Sequence, residues 1–275
     1  MINEGSVTIA VSTMYRMDLT FLESIVPKHL LYKIPILVIN QTDDARLLQT
    51  GHKNITVINT TERGLAKSRN MAINNITTTY AVLTDDDVIF RANLMDMLQK
   101  GFALFPKAGV IKFRAAKVGD AHFGNYRENA IKNLSILGIM NVSSIELAVN
   151  VEKLKQSNAF FDEYFGLGAA FGNGLEQAFL DNVRKKKLQI AYYPEIIVNH
   201  PDDCSGRNAK TERHYYINGA LGRKMFGKMF TLWAGIFVVF QIKHKNIASR
   251  KIRYYYNIFK KGSDDYSELI KNEKH

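Results

Sequence analysis

Residues 80–90 read YAVLTDDDVIF, an apolar β-run that ends in Asp85, Asp86 and Asp87 before Val88, Ile89 and Phe90 turn apolar again. Three adjacent carboxylates repel one another. Either the turn is fully solvated, as acidic turns often are, or a hard divalent cation takes their oxygens. The flanking pattern decides what kind of turn it is. Ser6 to Ser12 (SVTIAVS), Ile34 to Asn40 (IPILVIN) and Ile55 to Ile58 (ITVI) read as earlier strands. Helical stretches at Asp18 to Lys28 and Leu65 to Asn75 lie between them. Strands alternating with helices predict an α/β fold, a parallel sheet with helices on both faces. Ligands collect at the carboxyl ends of such strands. Thr13, Asn40 and Asp85 each fall at or just past a strand end, so the pattern brings three polar groups to one crevice.

Further along, the pattern predicts a helix from Asn93 through Phe105 and a strand over Gly109 to Phe113. Residues 115–150 interleave Gly, Asn and charge and give no clear element. Asp162 to Gly174 (DEYFGLGAAFGNG) reads as an ordered loop, Glu176 to Lys187 as a helix, and Gln189 to Tyr193 as a strand broken at Pro194. Asn199, His200 and Pro201 open a polar loop.

With 275 residues, 46% of them hydrophobic, the chain can bury one large core or two small ones. One cysteine, Cys204, excludes an intramolecular disulfide and fits a reducing compartment. The opening MINEGSVTIAVS lacks the basic head and apolar stretch of a secretory signal. The net charge of +11 is localised: Arg213 to Ser263 holds eleven Lys or Arg and no Asp or Glu. Without those eleven, the 37 basic residues fall level with the 26 acidic ones. A basic segment studded with large apolar residues argues against nucleic acid as the partner, which a uniformly basic face would have favoured.

Four passages in order resemble the family 2 glycosyltransferases, whose nucleotide-sugar-binding fold is GT-A. They are VTIAVSTMYR (7–16), RGLAKSRNMAI (63–73), LTDDDV (83–88), and FDEYFGLGAAFGNGLEQAFL (161–180) followed by VNHPDDCSG (198–206). The resemblance covers most of residues 5–208. It implies a GT-A mixed sheet flanked by helices and an inverting transfer from a nucleotide-sugar donor, with Mn²⁺ or Mg²⁺ as cofactor. By position, LTDDDV is the family's Asp-x-Asp site: Asp87 would meet the metal directly, and Asp85 would reach the ribose or the metal through water. Asp86 stays ambiguous. Arg69 is implied as a nucleotide contact, close to a helix N-terminus at Gly64 that would favour anions; Lys67 reads as solvent-exposed. Glu176 opens the helix after the Gly-rich loop and is the implied catalytic base, although Leu175 and Gln177 depart from the family's acidic pair. An N-terminal glutamate favoured by the helix dipole is the competing reading. His200 resembles a second metal or phosphate contact, or is a hydrogen-bonded structural histidine. Arg207 would meet a phosphate on the same loop. Asn40 and Gln41 stand where the family usually places an Asp to read the base; an amide can still bond uracil.

Met225 to Ile242 (MFGKMFTLWAGIFVVFQI) is apolar without interruption from Met229 to Val239, too short a run for a clear membrane span. Basic residues flank it, which suits a helix lying in an anionic membrane interface through Phe230, Leu232, Trp233, Ile236 and Phe237. Packing as a core helix is the alternative. The expected organisation is a catalytic domain over 1–212, its donor half 1–113 and acceptor half 114–212, and a basic membrane-associating helical tail over 213–275. The expected function is metal-dependent transfer from a donor such as a UDP-sugar to a saccharide, for instance a lipid-linked one, in surface-polysaccharide synthesis. The expected place is the cytoplasm, peripheral on the inner face of the cell membrane. A sugar nucleotidyltransferase is the second reading, weakened because STMYRMD lacks that class's glycines. A non-catalytic sugar- or lipid-binding descendant is the third.

Overall fold

The computed structural model describes residues 2–118, 126–200, 211–244 and 246–273. Four parallel strands build the first half of the sheet: β1 (Val7–Met14), β2 (Ile36–Gln41), β3 (Ile55–Thr60) and β4 (Tyr80–Asp85). Alternation assigns their side chains to two faces. Val7, Ile9, Val11, Ile36, Val38 and Val82 enter one core, whereas Ala10, Leu37, Ile39, Ala81 and Leu83 enter the other. The first core is closed by α1 (Phe21–Ile25), α2 (Lys28–Leu31) and α4 (Leu94–Leu104). The second is closed by α3 (Leu65–Asn75), α5 (Ile136–Ile139), α6 (Val151–Ser157) and α7 (Leu175–Lys185).

The second half of the sheet is mixed. It comprises β5 (Ile89–Phe90), β6 (Ala108–Lys117), β7 (Leu147–Asn150) and β8 (Gln189–His200), in the order β3-β2-β1-β4-β7-β6-β8-β5. β7 runs antiparallel to both β4 and β6, which makes β6 parallel to β4. The carboxyl ends of β1, β2, β4, β6 and β8 therefore share one edge, and Ser12 pairs with Asp85 while Thr13 pairs with Asn40.

Three local expectations are corrected. The single helix expected over Asp18 to Lys28 is two short ones, because Pro27 cannot continue α1. The strand expected to stop at Pro194 continues to His200. Pro194 sits where the β6–β8 register shifts between Lys112/Tyr192 and Arg114/Ile196, and a bulge tolerates its missing N–H. The segment after residue 213 is no detached tail. α8 (Glu212–Phe226) buries Ile217, Ala220, Leu221 and Met225 in the second core, together with Tyr266 of α10 (Ile252–Asn272). α8 and α10 touch backbone to backbone: a Cβ on Gly219 would lie 1.9 Å from the Phe259 carbonyl, and one on Gly262 1.9 Å from the Tyr216 carbonyl. Between them α9 (Phe230–Lys243) buries Phe230, Ala234, Phe237 and Val238. Phe230 and Phe237, expected at a membrane, thus belong to a third apolar cluster with Tyr215 and Phe259. The opposite side of α9 leaves Leu232, Ile236, Val239 and Phe240 more than half exposed.

Candidate active site

The acidic run ends β4, and each of its carboxylates has a different partner. Asp85 accepts from Arg69 Nη2 at 3.0 Å. Asp86 turns toward the end of β1, where Thr13 Oγ1 donates to it and Arg16, just past the strand, pairs with it at 2.7 Å. Asp87 projects outward, 61% exposed, with the His200 imidazole 3.7 Å away at the end of β8. Its carboxyl is held above the usual range by desolvation first and by repulsion from Asp85 and Asp86, while His200 pulls the other way.

Arg69 is the hinge of the constellation. It lies on α3 with 1% of its surface exposed, and its second amino group, Nη1, reaches Glu176 Oε1 at 3.2 Å. Ser144 Oγ donates to the same oxygen at 2.5 Å. Among the described residues nothing hydrogen-bonds Glu176 Oε2. One carboxylate oxygen is thus doubly anchored. Glu176 is held in place at the first turn of α7 by the preceding Gly174, whose φ of 83° only glycine adopts without strain. A buried guanidinium thus joins the acidic run to the carboxylate across the crevice.

Among the described residues no three His, Cys, Asp or Glu side chains close into a metal cage. Asp87 and His200 supply two potential ligands. Two protein ligands completed by substrate phosphate oxygens is a normal way to hold Mg²⁺, and the strained Asp87 carboxylate is the group a cation would relieve. The residues present fit such an ion.

The family model described as Glycosyl transferase family 2 matches residues 21–146, a span that contains Arg69, the acidic run and Ser144. That match spans a little under half of the chain. Solved structures share its fold. TarS 1-349 of S. aureus in complex with UDP-GlcNAc superposes with a TM-score of 0.58 at 11% identity, over 96% of this chain and 92% of that one. The same fragment in complex with UDP gives 0.57 at 13% identity, over 95% and 89%. A longer TarS structure gives 0.56 at 13% identity, over 81% of this chain and 40% of that one. No curated protein sequence matches the chain.

The remaining expected contacts divide. Thr13 stays at the crevice through its bond to Asp86. Asn40, expected to read a base, is fully buried: its amide donates to the Arg16 carbonyl and to Asn59, and its oxygen accepts from the Arg16 N–H. Both donors are occupied, so Asn40 shapes the loop that carries Arg16. Gln41 is likewise buried, and its oxygen receives the Gly64 N–H at 2.8 Å. With Leu65 N–H bonded to the Leu167 carbonyl, the N-terminus of α3 is already partly satisfied and offers less to an anion than its sequence promised. Arg69, expected to contact the nucleotide, is buried and bridges Asp85 and Glu176. Arg207 lies outside the described residues, as do Pro201 and Cys204.

Two participants went unread in the sequence. Arg16 follows the first strand by two residues, and a cation there opposite an acidic run is a signal in hindsight. Ser144 sits in the stretch without clear periodicity and had none. Tyr15 adds a third feature: φ is 56°, and its exposed ring is faced by the guanidiniums of Arg46 at 3.9 Å and Arg63 at 5.2 Å.

Proposed function

We propose that the chain is a metal-dependent inverting glycosyltransferase that moves a sugar from a UDP-sugar to a saccharide acceptor, lipid-linked, in surface-polysaccharide assembly. The observation that carries the reading is the Asp85–Arg69–Glu176 bridge, which puts a donor-side acidic run and a half-free carboxylate on one crevice. Glu176 Oε2 takes the acceptor hydroxyl proton as that oxygen attacks the anomeric carbon from the face opposite the departing diphosphate. Asp87 and His200 would hold Mn²⁺ or Mg²⁺, which when bound offsets the charge of the leaving diphosphate. The guanidinium-flanked ring of Tyr15 suits a uracil face and its phosphates. The fold shared with TarS, whose solved complexes hold UDP-GlcNAc and UDP, supports the choice of donor.

Asp87→Ala tests the metal assignment. Removing a carboxylate that its neighbours repel leaves the apo fold as stable as before, while Mn²⁺-dependent UDP binding disappears. Calorimetric UDP titrations with and without Mn²⁺ check this, and an unchanged affinity would reject the site. Because the Asp87 carboxyl titrates above its ordinary value, the protonated form persists to higher pH. Mn²⁺ affinity therefore falls on mild acidification sooner than an ordinary aspartate would allow.

The same proposal places the enzyme at the inner membrane face through α9. The stretch Glu212–Lys243 is, by length and composition, apolar enough to cross a membrane. Its first half is packed into the core, however, and α9 alone, with 14 residues, rises only about 21 Å against a hydrocarbon core of about 30 Å. An interfacial helix fits better, with Leu232, Ile236, Val239 and Phe240 inserted and Lys228, Lys243, Arg250 and Arg253 at the headgroups. Each cation contributes about 1 kcal/mol at an anionic surface and is weakened by salt; apolar burial is not. Binding to phosphatidylglycerol vesicles should weaken but persist at high salt, and Leu232→Asp with Ile236→Asp should remove the persistent part. Sedimentation that shows no binding even at low salt would sink the membrane reading.

A further inference from the structure

Glu146 ends the single 3₁₀ turn Ser144–Glu146 that leads into β7, and it is buried, with Lys112 of β6 buried beside it. We propose that Glu146 is a positioning residue for the transfer: through this turn it fixes the Ser144 hydroxyl against Glu176. The catalytic meaning rests on the base proposed above. Three donors from separate segments converge on the Glu146 carboxylate. Tyr126 Oη donates to Oε1 at 2.5 Å, the Ser143 N–H donates to Oε2 at 3.0 Å, and Lys112 Nζ lies 3.3 Å from Oε2. The Tyr126 oxygen accepts the Ala115 N–H, which leaves its own hydrogen for Glu146. Each of these neighbours donates, so they suit an ionised carboxylate. Burial pushes the Glu146 carboxyl up while Lys112 pulls it down. The pair thus carries a desolvation cost that apolar side chains of similar size would avoid. Stability alone does not account for it.

What the pair does is close a loop. Lys112 Nζ also donates to the Asn141 carbonyl at 2.5 Å, so one ammonium ties Asn141 to Glu146, the two ends of the loop that carries Ser144. A capping box fixes the second half of that loop: the Ser143 side chain accepts the Glu146 N–H while Glu146 Oε2 accepts the Ser143 N–H. Between these ties Ser144 Oγ donates to Glu176 Oε1 at 2.5 Å, and Gln177 Nε2 donates to the Val142 carbonyl at 3.1 Å. The loop therefore meets the first turn of α7 at two neighbouring residues. A serine places its oxygen with one side-chain torsion, so the backbone of the turn sets where that oxygen sits, and Glu146 holds the backbone. A shift of about 1 Å in a catalytic constellation costs about 10²-fold in rate.

The test reads the base directly. In the full chain labelled with ¹³C at the glutamate carboxyl, the Glu176 resonance is assigned by its loss in Glu176→Gln. Lys112→Met with Glu146→Leu removes the clamp without changing net charge, and apolar replacement of a buried pair is often near neutral for stability. This pair of substitutions should move the Glu176 resonance, as should Ser144→Ala, and in the Ser144→Ala background the pair should move it no further. Ser144→Thr, which keeps the hydroxyl, should restore part of the parent signal. Tyr126→Phe strips one donor and keeps the ring, so it should give a smaller shift of the same kind and decides the matter if the paired variant fails to fold. The catalytic arm is Mn²⁺-dependent hydrolysis of UDP-GlcNAc, in which water stands in for the acceptor hydroxyl. Turnover per UDP-binding site should fall about tenfold in the paired variant with the donor KM unchanged, and should fall no further when the pair is added to Glu176→Gln. A Glu176 resonance that ignores both the pair and Tyr126→Phe overturns the proposal. So does a loss of turnover that persists in full in the Glu176→Gln background, which would make Glu146 a purely structural residue. If the resonance followed the clamp while Glu176→Gln kept full turnover, the base reading would fall and only the linkage from Glu146 to Glu176 would stand.

Discussion

Glu176→Gln lowers turnover by about 10²–10⁴-fold, the usual contribution of a positioned general base, and leaves UDP affinity unchanged. The substitution keeps the shape of a side chain that is only 12% exposed. The amide oxygen can still accept from Arg69 Nη1 and Ser144 Oγ, so the anchored half of the group is preserved. What changes is the half left open in the crevice, where an NH₂ replaces the oxygen that would take the acceptor proton. Steady-state turnover compared with UDP affinity separates the two halves. Survival of turnover would mean that the base lies elsewhere in the Gly-rich loop, at Asp162 or Glu163. Their surroundings argue against both. Asp162 is paired with Lys224 at 2.6 Å and accepts from Tyr266. Glu163 accepts from Asn70 at 3.1 Å on the outside of α3.

The sequence announced β1, β2 and β4 because each is covered on both faces: ILVIN and AVLT are apolar at consecutive positions, and flanking turns bound them. β7 escaped notice for the opposite reason. Its four residues, LAVN, follow a stretch with no period, and only tertiary pairing with β4 and β6 makes them a strand. At the site, residue type carried the signal where chemistry is scarce, as with three adjacent aspartates or a glutamate after Gly-Asn-Gly. It was silent on burial, which the fold decides. Asn40 and Arg69 are polar residues near strand and helix ends, and nothing local reveals that one is sealed beneath a loop and the other beneath Phe161. Ser144 acts on a residue 32 positions away. In α9 the apolar run was plain, but a helix apolar on every side has no period to tell its buried face from its exposed one.

Arg69→Met destabilises the protein by about 3 kcal/mol, the low end for stripping one partner from a buried ion pair. The low end applies because Asp85 is a third exposed and water screens its share. Glu176 carries most of the cost: at 12% exposure it is left with Ser144 alone. Urea midpoints at constant slope measure the loss. Three further comparisons separate the bridge from a simple packing role. Arg69→Lys should recover only part of the stability, because a point charge cannot span two carboxylates as a planar fork does. Arg69→Met combined with Glu176→Gln should cost less than the two separate losses together, since the orphaned charge is gone. UDP with Mn²⁺ should restore more stability to Arg69→Met than it adds to the unaltered chain, because Asp85 then faces a cation again. A methionine variant within about 0.5 kcal/mol of the parent, the range of ordinary surface changes, would mean that water reaches the pair. Arg69 would then be a bystander to the carboxylates it touches. If the loss is as large as expected, the donor-side acidic run and the base share one guanidinium. Any ligand that draws Asp85 away then strengthens the hold of Arg69 on Glu176, fixing the base in place once the donor is bound.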